Sequence, residues 1–182
     1  MITRLEKEET ILLIVDVQER LVPAIYEAEQ LLRSCTILAQ AAQILKIPLI
    51  VTEQYPEKLG ATVPEITGVL DEFQPISKKQ FSAYTPEVID VLKSTSGRQT
   101  ILLCGVEAHV CVQQTALDLL ANGFAVFVAR DAISSRTAAN AKIGWQRMIG
   151  AGAIPVSVES ALFELLQSAG APEFKAIHQL IK

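Results

Sequence analysis

Six short apolar runs punctuate this chain: Thr10–Val17, Ile47–Thr52, Pro75–Lys78, Ile101–Cys104, Phe124–Ala129 and Ile154–Val158. The first, TILLIVDV, is apolar at successive positions and so suits a strand covered on both faces, the mark of a central strand in a parallel sheet. Helical patterns separate most of the runs. Tyr26–Leu45 carries Leu31, Leu32, Leu38, Ala41 and Leu45 near helical period. Thr85-Pro86-Glu87 opens another helix with proline in its first turn. Val110–Asn122 ends at Gly123, a helix stop, and Thr137–Ala151 follows with Ser134 or Ser135 as its expected cap. Further helices are expected over Ser160–Ser168 and Glu173–Ile181. Strands alternating with helices predict an α/β fold. The expected architecture has three layers around a doubly wound parallel six-stranded sheet of order 3-2-1-4-5-6.

The chain has 182 residues, half of them hydrophobic, with no internal repeat or interdomain linker, so one domain is expected over 1–182. A net charge of −4 offers no basic footprint for nucleic acid. No apolar run approaches the roughly 18 residues of a membrane span, and MITRLEKEET carries no apolar leader segment. Cys35, Cys104 and Cys111 stand at spacings that form neither a disulfide framework nor a zinc site. Reducing cytoplasm is the expected compartment.

In the expected sheet order, strands 1 and 4 are neighbours at the topological switch point, where ligands bind beyond the carboxyl ends of strands. Asp16 ends strand 1, Lys78 ends strand 3, and Cys111 opens the helix after strand 4. Each has an ordinary alternative taken alone: a capping carboxylate, a solvated lysine, a packed thiol. Their convergence on one crevice favours chemistry. A thiol nucleophile needs a base, which Asp16 can supply, and positive charge, which Lys78 and a helix N-terminus can supply. That position predicts a lowered Cys111 pKa. Backbone N–H groups between Gly105 and Cys111 can receive an oxyanion. The long Pro- and Gly-containing segment Glu53–Phe73 is expected to wall the site. Gln18, Tyr55, Phe81 and His109 are the expected pocket residues, with core or lid packing as the ordinary reading of the aromatics.

Three ordered stretches, LLIVDVQ, KKQFSAY and LLCGVEAHVCV, together resemble the isochorismatase-like cysteine hydrolases over nearly the whole chain. TEQYPEKLGATVPE, DAISSR and FKAIHQLIK resemble the isochorismatase domain-containing branch of that superfamily. The resemblance implies a catalytic triad of Asp16, Lys78 and Cys111. It also implies a cis, non-proline peptide near Val106-Glu107, so that Val106, Glu107 and Ala108 form the oxyanion loop. Metal-dependent nicotinamidases in the superfamily carry an Asp-x-His pair and a further His, whereas this chain has only His109 and His178. No metal site and no cofactor are therefore expected. Members that cleave a vinyl ether work through the aspartate and often lack the cysteine. Retention of Cys111 points instead to amide, carbamoyl or ester-like small molecules. Homo-oligomers are expected from the resemblance.

The expected function is thus a metal-independent cysteine hydrolase working through an acyl-enzyme. The rival is a non-catalytic small-molecule-binding module that keeps the fold and pocket. A dinucleotide-binding protein is disfavoured, because the first strand runs into DVQERL with no glycine-rich phosphate turn.

Overall fold

The computed structural model describes residues 3–95 and 97–182; the first two residues of the N-terminal stretch lie outside the described residues. Six parallel strands form one sheet: β1 (Thr10–Val15), β2 (Leu49–Gln54), β3 (Ile76–Lys78), β4 (Thr100–Val106), β5 (Ala125–Ser134) and β6 (Ile154–Val156). Their order is β3-β2-β1-β4-β5-β6, as the alternation predicts. The helices are α1 (Ala28–Leu45), α2 (Pro56–Leu59), α3 (Pro64–Thr67), α4 (Pro86–Ser94), α5 (Cys111–Ala121), α6 (Ala138–Gly150), α7 (Val158–Leu166) and α8 (Phe174–Leu180).

The continuous apolar run of β1 is explained by its two faces. Leu12 and Ile14 pack with Leu31, Leu38 and Leu45 of α1 and with Leu162 and Leu165 of α7. Ile11, Leu13 and Val15 pack on the other side with Val88 of α4, Val112 and Leu119 of α5, and Met148 of α6. A strand covered on both faces has no solvent side to mark with polar residues. The stripe Phe174, Ile177, Leu180 and Ile181 packs on the α1 side of this same domain, with Ile177 fully buried. Trp145 is half-buried, with the Arg130 guanidinium 5.6 Å from its ring centre.

Several boundaries differ from expectation. β1 stops at Val15, and Asp16 turns into the left-handed region at φ 55°. A short side chain that can bond locally tolerates that conformation. The Asp16 N–H still reaches the Thr52 carbonyl at 3.1 Å, so the turn stays pinned to β2. β5 continues five residues past Ala129, to Ser134, across an irregularity: Leu103 pairs with Val128, but Gly105 pairs with Ile133. The bulge absorbs the Arg130-Asp131 pair, and buried Ala132 and Ile133 resume the strand. Thr137, not Ser134 or Ser135, caps α6 by accepting from the Asn140 N–H at 3.2 Å. Ser134 is instead the strand partner of Val106. The segment Glu53–Phe73 lends its first two residues to β2 and then folds into α2 and α3, each begun by proline.

Candidate active site

Asp16 is fully buried beyond the end of β1. Its Oδ1 accepts from Thr52 Oγ1 at 2.8 Å, and its Oδ2 from Lys78 Nζ at 2.6 Å. Neither side chain of the Asp16–Lys78 pair touches solvent. Lys78, the last residue of β3, also donates to Gln54 Oε1 (2.9 Å), the Phe81 carbonyl (3.0 Å) and the Gln80 carbonyl (3.2 Å). An ammonium has three protons, so its capacity is spent within this cage, which offsets the cost of burying the charge.

Cys111 opens α5 and is 7% exposed. Its thiol is pushed up to about 12, first by burial and then by the Asp16 charge, against the opposing pull of Lys78 and a hydrogen bond from the Glu107 backbone. This corrects the lowered pKa expected at a helix N-terminus: burial and a carboxylate within hydrogen-bond reach outweigh the partial charge of the helix end. Asp16 is itself raised above the ordinary carboxylate range, chiefly by burial, with Lys78 and Thr52 opposing. The arrangement is therefore a protonated thiol facing a carboxylate of heightened basicity.

The loop before Cys111 has a cis peptide bond between Val106 and Glu107, the position implied by the resemblance. The Val106 side chain belongs to the core beside Ile14 and Cys104, so it adds only backbone to the loop. Ala108 corrects an expectation, because its N–H already donates to the Ser134 carbonyl at 2.7 Å and is not free for an oxyanion. Val110 and Val112 both donate to the Glu107 carbonyl, whereas the His109 and Cys111 amides have no hydrogen-bond partner among the described residues. The Glu107 carboxylate takes the Arg136 backbone N–H and Nε at 3.1 and 3.0 Å, tying the loop to the end of β5. Two glycines set the close approaches. A side chain at Gly105 would stand 2.1 Å from the Val15 carbonyl oxygen, and one at Gly144 would stand 2.4 Å from the Ala108 carbonyl oxygen.

The expected pocket residues divide. Gln18 is fully buried and its amide is consumed: Nε2 donates to the Gln54 and Gly60 carbonyls at 3.1 and 2.6 Å, and Oε1 accepts from the Gln54 N–H at 2.7 Å. It straps the loop with both amide protons spent and its side chain sealed from solvent, which corrects its expected place in the pocket lining. Tyr55 is half-buried; its N–H bonds the Lys78 carbonyl at 2.8 Å and its ring lies 5.3 Å from Lys79 Nζ. The Phe81 carbonyl holds Lys78 while its ring is 55% exposed. His109 is half-buried, with Nδ1 2.9 Å from Ser135 Oγ.

Sequence reasoning missed Thr52, Gln54, Thr115 and Gly144. Thr52 and Gln54 stand at the carboxyl end of β2, beside β1 and β3, and that adjacency was the available signal. Concavities of about 540 and 580 Å³ lie against α1, both lined by Arg33 and Ile37. They bring no nucleophile and base together, so they do not displace the Asp16–Lys78–Cys111 cluster as the candidate centre. Among the described residues no group of three or more His, Cys, Asp or Glu is placed to hold a metal ion. Among the same residues no helix is long and apolar enough to cross a membrane.

Comparison with known proteins identifies the family and the fold. Residues 10–160 match the family model of the isochorismatase domain. The chain is 40% identical to the secreted isochorismatase effector Isc1 of Phytophthora sojae, over 98% of this chain and 87% of that protein. It is 38% identical to isochorismatase domain-containing protein 2 of Danio rerio, over 99% and 90%. The solved structure of MAR1 ribonuclease from Caenorhabditis elegans superposes with a TM-score of 0.93 at 39% identity, covering 98% and 92% of the two chains. The matched strands are those that carry the site, and on that evidence the chain belongs to the isochorismatase domain family.

Proposed function

We propose that this protein, with its isochorismatase-family hydrolase fold, is a cysteine hydrolase acting without a metal on a small amide, carbamoyl or ester-like substrate. The observation that carries the reading is the sealed Asp16–Lys78 pair, 2.6 Å apart, set against the Cys111 thiol. Burying two charges is costly, and here the Asp16 charge bears on a neighbouring thiol and raises its pKa. Asp16 removes the Sγ proton as sulfur attacks the substrate carbonyl carbon, and the resulting oxyanion takes the unengaged His109 and Cys111 amides. The carbon–nitrogen or carbon–oxygen bond then breaks, and the leaving group departs with the proton from Asp16. Water enters, gives a proton to Asp16 and attacks the thioester carbon. The acid product leaves and the sulfur regains its proton. Lys78 keeps Asp16 aimed throughout and favours its ionised form before each proton transfer.

The test is a hydrolysis screen of small amides, carbamoyl compounds and esters with chelator-treated protein, run beside Cys111→Ala. An RNA oligonucleotide joins the panel because a 39% identical structure is named a ribonuclease. Turnover that survives chelation and disappears in Cys111→Ala supports the thiol mechanism. Turnover that persists in the variant moves the chemistry to Asp16 and ends this reading. We also take residues 1–182 as one homo-oligomeric hydrolase unit of the cytoplasm, on the resemblance and on three buried, unpaired cysteines. Light scattering and cell fractionation test those two points.

A further inference from the structure

Thr115 lies one turn along α5 from Cys111 and is fully buried. Its hydroxyl donates to the Cys111 carbonyl at 2.7 Å, the usual return bond of a threonine inside a helix. The same oxygen also accepts the Ala83 N–H at 2.8 Å. Ala83 is fully buried too and belongs to the turn after Lys78. That turn supplies the Phe81 and Gln80 carbonyls that receive Lys78 Nζ. Two more of its polar groups are satisfied locally: Tyr84 N–H by Ser82 Oγ, and the Ala83 carbonyl by Thr85 N–H. Among the described residues, the Ala83 N–H makes the turn's one hydrogen bond to α5.

The consequence is geometric. Asp16 follows the end of β1 and Lys78 ends β3, while Cys111 opens the helix after β4. Apolar packing also joins the two halves, through Ala83 and Val112, but such packing has no direction and allows sliding. A hydrogen bond between groups sealed from water has a fixed length and angle, and breaking it leaves a buried donor without a partner. One bonded path thus runs from Thr52 through Asp16 and Lys78 to the turn, and from Ala83 through Thr115 to Cys111. We propose that Thr115 is a positioning residue: its hydroxyl locks the first turn of α5 to the Lys78 turn and sets how Cys111 Sγ meets the Asp16–Lys78 pair. This inference rests on the thiol reading above.

The experiment compares Thr115→Val, which keeps the side-chain shape but removes the hydroxyl, with Thr115→Ser, which keeps the hydroxyl. The probe is iodoacetamide at neutral pH, with Cys111 alkylation followed by peptide mass. Misplacement of a reacting group by a fraction of an ångström to one ångström slows reaction by about tenfold to a hundredfold. Thr115→Val is expected to show that loss, and Thr115→Ser to recover the native rate. For any substrate found in the screen, kcat should fall in Thr115→Val while KM holds. A role in stability alone would lower the melting temperature of Thr115→Val and leave the alkylation rate of the folded protein unchanged. Unchanged or faster alkylation in Thr115→Val, or a folded Thr115→Ser as slow as Thr115→Val, overturns the proposal. Should Thr115→Val not fold, Thr115→Ala takes its place in the same comparison. Alkylation is read independently of turnover. Activity persisting in Cys111→Ala would therefore end the hydrolase reading, while a slow Thr115→Val would still assign Thr115 to the thiol.

Discussion

Asp16 sits between two demands, a buried carboxylate's preference for its proton and a lysine that holds it ionised. Because burial is the larger influence, Asp16 titrates above the ordinary carboxylate range. A base must be ionised to accept a proton, so activity should fall on acidification at a pH higher than an exposed aspartate would give. A pH–kcat/KM profile checks this. The thiol does not ionise by itself near neutrality, since it is pushed up to about 12 partly by the Asp16 charge. Asp16→Asn removes that charge, so the pH midpoint of Cys111 alkylation should drop while turnover falls by about 10²–10⁴-fold. A midpoint that rises would show that Asp16 was not facing the thiol as a carboxylate. Lys78→Met leaves Asp16 buried without its partner and should cost about 3–5 kcal/mol in chemical denaturation. Asp16→Asn combined with Lys78→Met should recover part of that loss, because the double variant strands no charge.

At the scale of elements, the loop that presents Cys111 is held from three sides. β4 brings it against β1 at Gly105, β5 holds Ala108 through Ser134, and α6 presses on Ala108 at Gly144. Gly144→Ala places a methyl group 2.4 Å from the Ala108 carbonyl oxygen, so either α6 or the loop must move. Cα–methyl substitution in a helix otherwise favours the helix by about 1 kcal/mol. The expected outcome is therefore turnover reduced by about tenfold or more, with a helix that remains intact by circular dichroism. Little of this was legible in the sequence. The glycine in Ile143-Gly144-Trp145 reads as a weak point in a helix, and its meaning comes from a backbone 36 positions earlier in the chain. The extension of β5 was similarly hidden, because Arg130-Asp131 looks like an exit from the sheet and is in fact its bulge.

At the scale of the whole molecule, the sheet has a gradient of protection. β1 and β4 lie at its centre with strands on both sides and helices on both faces, whereas β3 and β6 are three-residue edge strands. Hydrogen exchange should be slowest at Ile11–Ile14 and Ile101–Leu103 and faster at Ile76–Lys78 and Ile154–Val156. Comparable rates in centre and edge would show that the sheet opens as one unit. Lys78 thus carries its charge to the centre from an edge strand, and the bonds of Lys78 Nζ to Asp16, Gln54, Gln80 and Phe81 compensate for short pairing. By itself the sequence determined the class of fold, the strand order and the three residues offered to the site. It could do so because unbroken apolar runs report burial on both faces, and because charged or nucleophilic residues at strand ends stand out against them. Only the tertiary structure decided the state of the thiol, the occupied Ala108 amide, the strap made by Gln18 and the bridge through Thr115. Each depends on a partner remote in the chain and on exclusion of water, and neither leaves a local pattern among neighbouring residues.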